Sequence, residues 1–230
     1  MSTEHITCLP SHQSNSFSYY SVLNSFLPYL LLSVLLPFLL TGCASKTSVQ
    51  QPANVIYASE KRTDEIALLQ HWKVKGKIAF ITSTEKQSAG LSWHVNQALN
   101  TQQLNLNSYL GINVLDLNSK DDLHTIKVDG ETYTGNNLAT LIYDLTGLTL
   151  PTKALHYWLK GIAYNPEDEV LFNESTELPF QLTSLYQGRL WQISYQKYKN
   201  VDAYQLPTKI NIRQGDLLIK IAISNWQVLP

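Results

Sequence analysis

The stretch WKVKGKIAF, residues 72–80, alternates between apolar and mostly basic side chains. Its lysines fall on one face of an extended chain, and the opposite face holds Trp72, Val74, Gly76, Ile78 and Phe80. Successive side chains of a β-strand point to opposite faces of the sheet. This period of two therefore predicts a strand with one buried apolar face and one solvated basic face.

The same alternation continues along the chain on the C-terminal side of this stretch. We expect a polar turn at 81–89 and a loop at 96–102 between the early strands. The further predicted strands are Leu91 to Val95, Leu104 to Leu106, 112–117, 124–129, 189–198, 206–213 and 217–226. Antiparallel strands in succession favour a meander that curls into a barrel or half-barrel.

Other segments show the helical period instead. Leu138, Leu141, Ile142 and Leu145 have the i, i+3, i+4, i+7 spacing of one helix face, with Asn136 or Asn137 to begin the helix and Gly147 to end it. A short helix is predicted after Pro151, and another over Glu60–His71 after a cap at Ser59. Residues 162–187 are interpreted as loop-rich.

The N-terminal segment has the features of an export signal. Residues 26–40 form an uncharged apolar run of 15, short for a membrane span and long enough for a signal peptide. Leu40-Thr41-Gly42-Cys43 follows directly and is the lipobox pattern of bacterial lipoprotein precursors. We expect residues 1–42 to be a signal peptide and Cys43 to carry the lipid, although 1–42 contain no Lys or Arg. The alternatives are an uncleaved anchor and a Cys8–Cys43 disulfide.

Composition limits the possible functions. Charged residues are 15% of the chain, whereas Tyr and Trp number 13 and 5, which suits a protein that handles apolar ligands and equally an ordinary β-rich core. The net charge of −1 gives no support for nucleic-acid binding. No hydrolase, nucleotide-binding or zinc motif is found, and the histidines lack metal-ligand spacing. We therefore expect no catalysis, cofactor or metal.

The chain resembles the LolB family over roughly residues 60–228. The resemblance is carried by Gly147-Leu148-Thr149-Leu150-Pro151, then Leu155, then Trp158-Leu159-Lys160-Gly161. Supporting positions, in the family's order, are Trp72 with 75–79, Trp93, Tyr195, Tyr198, Leu206-Pro207 and Trp226. LolB proteins are outer-membrane receptors that accept lipoproteins from a periplasmic carrier.

The resemblance implies the fold and the function. The fold would be mainly β with helices, an incomplete, unclosed antiparallel β-barrel with a helical lid over residues 59–230, joined to Cys43 by a flexible tether at 43–58. The function would be to accept acylated lipoprotein cargo from a LolA-like carrier and insert it into the outer membrane from the periplasmic face. We expect a monomer anchored in outer-membrane lipid, and Ala44 in place of Asp agrees with that membrane.

The resemblance also implies a protruding loop with an exposed leucine. Asn107-Ser108-Tyr109-Leu110-Gly111 occupies that place, and we expect Leu110, with Tyr109, to enter the membrane. The family usually has proline directly before this leucine, where this chain has Tyr109. The alternative is that Leu110 packs at a strand end.

Periodicity supplies candidates for a cavity that holds acyl chains. A buried face can equally be a filled core, so both interpretations stay open for each residue. The alternatives for the whole chain are a structural envelope lipoprotein that binds protein or glycan, and a soluble carrier of the same fold, which the lipobox disfavours. The cavity candidates are Trp72, Val74, Ile78, Phe80, Leu91, Trp93, Leu104, Leu106, Leu141, Leu145, Trp158, Ile219 and Ile221.

Overall fold

Eleven antiparallel strands form one continuous sheet in a computed structural model, which describes residues 53–230, with side chains from Glu60 onward. The sheet order is β6-β5-β4-β3-β2-β1-β11-β10-β9-β8-β7, so β1 lies in the middle and β6 and β7 are the edges. The predicted unclosed antiparallel β-structure is confirmed. The strands are β1 His71–Ile81, β2 Lys86–Asn96, β3 Thr101–Asn107, β4 Asn113–Lys120, β5 Leu123–Val128, β6 Glu131–Gly135, β7 Glu169–Phe172, β8 Pro179–Tyr186, β9 Arg189–Val201, β10 Tyr204–Gln214 and β11 Leu217–Val228.

Several strand limits differ from the prediction. The turn expected at 81–89 and the loop expected at 96–102 are shorter, because backbone pairing continues to Ile81–Lys86 between β1 and β2 and to Asn96–Thr101 between β2 and β3. β6 was not predicted. β7 and β8 were not predicted either: they lie within the loop-rich residues 162–187, pair with each other and extend the sheet beyond β9.

Within residues 53–230, three helices accompany the sheet: α1 Ala53–Ala67, α2 Leu138–Thr146 and α3 Leu155–Trp158. The predicted ends of α2 are confirmed: the Asn137 side chain accepts a hydrogen bond from the Thr140 N–H at 3.1 Å, and Gly147 has φ +68°. α1 begins at Ala53 instead of after Ser59, so it includes residues 53–58 that were assigned to the tether.

A single large core covers the concave face of the sheet at its centre. Trp72 lies at its middle, with the Trp93 and Trp226 rings 5.6 and 5.5 Å away between centroids. From the helices, Ile66 of α1 and Trp158 of α3 are 1% and 0% exposed. Residues Gln50–Pro230 form one compact unit, and because the described core is completed within it, we expect this unit to fold without the preceding residues.

Gly76 is required where two strands come unusually close. The β1–β11 register shifts between Lys75 and Gly76, and a Cβ at Gly76 would collide with the carbonyl oxygen of Ala222. Gly76→Ala should therefore lower the free energy of unfolding by about 1–3 kcal/mol, measured by denaturant titration. Gly90→Ala is the matched control, because its Cβ would meet the Asn107 carbonyl oxygen at an ordinary 3.6 Å. Equal losses in the two variants would contradict this explanation.

Candidate functional site

An apolar cavity lies between the concave face of the sheet and the segment that carries α2 and α3. Its volume is about 70 Å³, and of its fifteen lining residues only Gln102 and Thr152 are polar. Strands β1 to β4 and β11 supply the floor, and α2 and the residues before α3 supply the cover. The lining residues are Ile78, Phe80, Leu91, Trp93, Gln102, Leu104, Leu106, Leu117, Leu138, Ile142, Leu150, Thr152, Leu155, Ile219 and Ile221.

Most of the sequence-derived cavity candidates line this space. The eight that do are Ile78, Phe80, Leu91, Trp93, Leu104, Leu106, Ile219 and Ile221. Sequence reasoning missed Leu117, Leu138, Ile142, Leu150 and Leu155. Two of these, Leu138 and Ile142, were already on the predicted apolar face of α2, and that face was the available signal.

The other five candidates do not line this cavity. Trp72, Val74 and Trp158 are all 0% exposed within the filled core, because α1 and α3 pack over that end of the sheet. Leu141 and Leu145 pack in a second cluster, against Leu117 and Ile126, instead of lining the cavity.

The cavity is small, and the helix α2 that covers it buries few side chains. Sites for small molecules usually have volumes of about 300–1,000 Å³, so 70 Å³ is too little for an acyl chain without movement. α2 has one buried residue, Leu138, and its remaining inward side chains are only half-buried. Elements with few buried contacts open at low free-energy cost, so within the cover we expect α2 to move more easily than α3, whose Trp158 is 0% exposed.

The polar end of the cavity is closed by neutral groups. The Gln102 Oε1 accepts a hydrogen bond from the Trp93 indole N–H at 3.1 Å and lies 3.3 Å from the His156 Nε2. Burial, with a smaller effect from the charge of Lys160, lowers the pKa of His156 to about 4. The ring is therefore uncharged at neutral pH. An apolar ligand at this end of the cavity would not have to remove water from a charged imidazole.

The loop between β3 and β4 presents apolar side chains to solvent. Tyr109 is 98% exposed and Leu110 80% exposed, so the alternative that Leu110 packs at a strand end does not hold. The loop is closed by backbone hydrogen bonds from Gly111 to Ser108 and from Ser108 to Ile112, at 3.0 and 2.8 Å. Ile112, which the sequence did not single out, is 64% exposed beside them.

Residues 53–230 contain neither a cluster of metal-ligating side chains nor a helix suited to span a membrane. Between residues 53 and 230, no three His, Cys, Asp or Glu side chains come close enough to hold a metal ion. In that same range, none of the helices combines the length and hydropathy needed to cross a membrane. Cys43, the predicted lipid-attachment residue, and the predicted signal peptide lie outside the described residues.

The fold and the cavity define a class of protein: a curved antiparallel sheet that shelters an apolar site beneath a helix. The family model described as outer membrane lipoprotein LolB matches residues 70–226. The chain is 33% identical over 190 residues to the outer-membrane lipoprotein LolB of Pseudoalteromonas translucida, covering 82% of this chain and 89% of that protein. It therefore belongs to the outer-membrane lipoprotein LolB family, and the predicted function, an outer-membrane lipoprotein receptor, is confirmed at that level.

Further relatives agree with this assignment. The LolB proteins of Psychromonas ingrahamii and Aeromonas hydrophila are 33% and 32% identical, and the alignments cover 90% and 91% of those proteins and 81% and 82% of this chain. Among solved structures, a LolA superfamily protein from Nitrosomonas europaea has a TM-score of 0.49 at 10% identity, covering 76% of this chain and 93% of that chain. That likeness is too low to bear on function.

Proposed function

We propose that this receptor binds the acyl chains of other lipoproteins in the cavity beneath α2 and inserts them into the outer membrane. The observation that carries the proposal is the lining: thirteen of the fifteen side chains are apolar, and Gln102 already has a hydrogen-bonding partner in Trp93. A pocket of this kind recognises hydrocarbon and offers little to a polar substrate. The donor would be a LolA-like periplasmic carrier.

Energetics favour transfer between apolar sites without a chemical energy source. Each buried CH₂ contributes roughly 0.8 kcal/mol, so a single acyl chain is held by on the order of 10 kcal/mol before costs. Most of this hydrophobic free energy cancels when the acyl chain moves from the pocket of the carrier to the cavity of the receptor. A difference of about 1.4 kcal/mol between the two then gives a tenfold preference. No catalytic step is required, and the absence of enzyme activity stays a prediction.

The location of the receptor follows from its predicted processing. Residues 1–42 would be removed, and a lipid on Cys43 would hold the domain, as a monomer, at the periplasmic face of the outer membrane. Tethering raises the local concentration of the receptor at the bilayer. Tyr109 and Leu110 would then enter the interface and open the route from the cavity to the lipid.

A transfer assay with Leu110→Glu tests this proposal. The 50–230 unit is mixed with a carrier loaded with an acylated lipoprotein, and cargo is followed first to this unit and then to liposomes. Leu110→Glu should accept cargo normally and deliver it roughly tenfold more slowly, because burying a leucine side chain is worth about 1.5–3 kcal/mol. Leu185→Glu, at a side chain 69% exposed on β8, is the matched control.

Two outcomes would count against the proposal. If the folded wild-type unit accepts no cargo, acyl-chain binding is wrong, and the structural envelope lipoprotein becomes the better interpretation. If Leu110→Glu and Leu185→Glu deliver cargo at the same rate as wild type, the loop is not the route into the membrane.

A further inference from the structure

Basic side chains, without acidic ones, occupy five neighbouring strands of the sheet. The whole chain has 17 basic and 18 acidic residues, and Glu4 is the one charged residue before Cys43. The part after Cys43 therefore has 17 of each. The five neighbouring strands β2, β1, β11, β10 and β9 nevertheless contain no Asp or Glu at all. Their basic residues are Lys73, Lys75, Lys77, Lys86, Arg189, Lys197, Lys199, Lys209, Arg213 and Lys220.

The pairing register places several of these lysines in one row on the convex face. Lys197 is opposite Lys209, Lys209 is opposite Ala222, and Ala222 is opposite Lys77. Residues opposite each other in a sheet point to the same side, at about 4.7–4.9 Å per strand. Lys220 belongs to the next row, opposite Ala79. The convex face therefore carries a cationic patch, defined here as Lys75, Lys77, Lys197, Lys209 and Lys220.

The cationic patch is exposed, and no salt bridge compensates it. All five side chains are exposed, whereas the apolar residues between them are buried on the concave face. Among the side chains described from Glu60 onward there is one salt bridge, which joins Lys61 and Glu65 on α1. A surface of one sign with exposed lysines attracts a partner of the opposite sign.

The row of lysines leads directly to the apolar loop. Lys77 is opposite Gly90, and Gly90 is opposite Asn107, where the loop begins. Lys77 and Asn107 are thus about 10 Å apart across two strand spacings. A polar groove of about 620 Å³ extends from Asn107 to Lys75, and its other lining residues include the amides of Asn105 and Asn113 and the hydroxyl of Ser224.

We propose that the convex face is a second membrane-contact surface, which binds anionic phospholipid headgroups through the cationic patch while Tyr109 and Leu110 enter the bilayer beside it. This inference rests on the proposed role of the loop and extends it to a face of the domain that has no part in the cavity. Exposed apolar side chains next to several lysines are the combination that holds peripheral proteins on anionic membranes. The patch would set the orientation of the domain on the bilayer.

An acidic protein partner is the other surface that the charge could fit. Proximity to the loop favours the membrane, because a bilayer is the partner that meets the apolar tip and the lysines at once. The amides and hydroxyls of the groove also match the hydrogen-bonding groups of a headgroup layer. The vesicle-binding experiment below distinguishes the membrane from a protein partner.

Vesicle binding by the 50–230 unit tests the proposal without the anchor. Vesicles of phosphatidylethanolamine alone are compared with vesicles that also contain phosphatidylglycerol, by co-sedimentation. The patch variant is Lys77→Gln, Lys209→Gln and Lys220→Gln together. The matched control is Lys61→Gln, Lys127→Gln and Lys153→Gln, which removes the same charge from exposed positions outside the patch. Circular dichroism and thermal unfolding confirm that each protein is folded.

Wild type should bind the anionic vesicles at least tenfold more tightly than the neutral ones, since one lysine near such a surface contributes roughly fivefold. The patch variant should lose at least tenfold on anionic vesicles only, and the control should lose much less. Added salt should remove the wild-type preference, because it screens exposed charges.

Three results would overturn the inference. Wild type could bind both vesicle types equally, in which case the loop contacts the membrane without help from the patch and the proposed function stands. The patch variant could bind anionic vesicles as wild type does while losing cargo uptake from the carrier. The convex face would then be a docking surface for a protein and not for the membrane. Wild type could bind neither vesicle, and then the membrane step of the proposed function fails together with this inference.

Discussion

Ile142→Asp is expected to reduce uptake of acylated cargo at least hundredfold while leaving the domain folded. Ile142 lines the cavity from α2, where an acyl chain would pass. An ionised carboxylate at that point must either lose its water against hydrocarbon or keep the cavity wet, and burying an unpaired charge costs several kcal/mol. A hundredfold loss corresponds to about 2.7 kcal/mol. Uptake from a loaded carrier is the measurement.

Tyr143→Asp provides the matched control on the same helix. Its side chain is 55% exposed and does not line the cavity, and both substitutions place the same poor helix former in the middle of α2. Uptake by Tyr143→Asp should stay within a few-fold of wild type. A similar loss in the two variants would show that an intact α2 matters and that an apolar lining does not.

Trp158→Ala should lower the free energy of unfolding by about 3–5 kcal/mol, as large truncations in protein cores do. Trp158 is 0% exposed, and its ring packs against Trp191 and Tyr186 at centroid distances of 5.8 and 6.1 Å. The Tyr195 hydroxyl donates to the Trp158 carbonyl oxygen at 2.9 Å. Since domains are stable by only about 5–15 kcal/mol, this loss should be plain in denaturant unfolding.

Trp158→Phe separates packing from the polar part of the ring. The indole N–H of Trp158 has no hydrogen-bond partner among the described residues, so phenylalanine removes an unsatisfied donor and keeps much of the aromatic volume. Its cost should be far below that of Trp158→Ala. Leu190→Ala, at a side chain 55% exposed on β9, should cost little. If Trp158→Ala costs no more than Leu190→Ala, Trp158 is not part of the core as described.

The elements that the sequence predicts well are those with local signals. β1 has an uninterrupted period of two, and α2 has an amide side chain at its start and glycine at its end. β6 has neither kind of signal: Glu131–Gly135 has four exposed residues and no buried one, so no alternation marks it as a strand. It pairs only because β5 offers a free edge, which is a property of the sheet and not of the segment.

Distinguishing cavity from core was beyond the sequence for a similar reason. Trp72 and Ile78 share one face of one strand, yet Trp72 is in the filled core and Ile78 lines the cavity. Their local patterns are the same. The difference comes from what packs opposite, since α1 and α3 cover one end of the strand and the lightly attached α2 covers the other. Which helix covers which end is decided by connections distant in sequence.

The open sheet has a mechanical consequence for the volume of the site. In a closed barrel, the number of strands and their stagger fix the circumference, so the bore cannot widen without breaking backbone hydrogen bonds. Here β6 and β7 are not joined to each other, and the curl of the sheet can tighten or relax while every strand pair stays intact. Strand pairing therefore does not fix the volume of the site, and the cavity of about 70 Å³ can widen without the loss of any backbone hydrogen bond between strands.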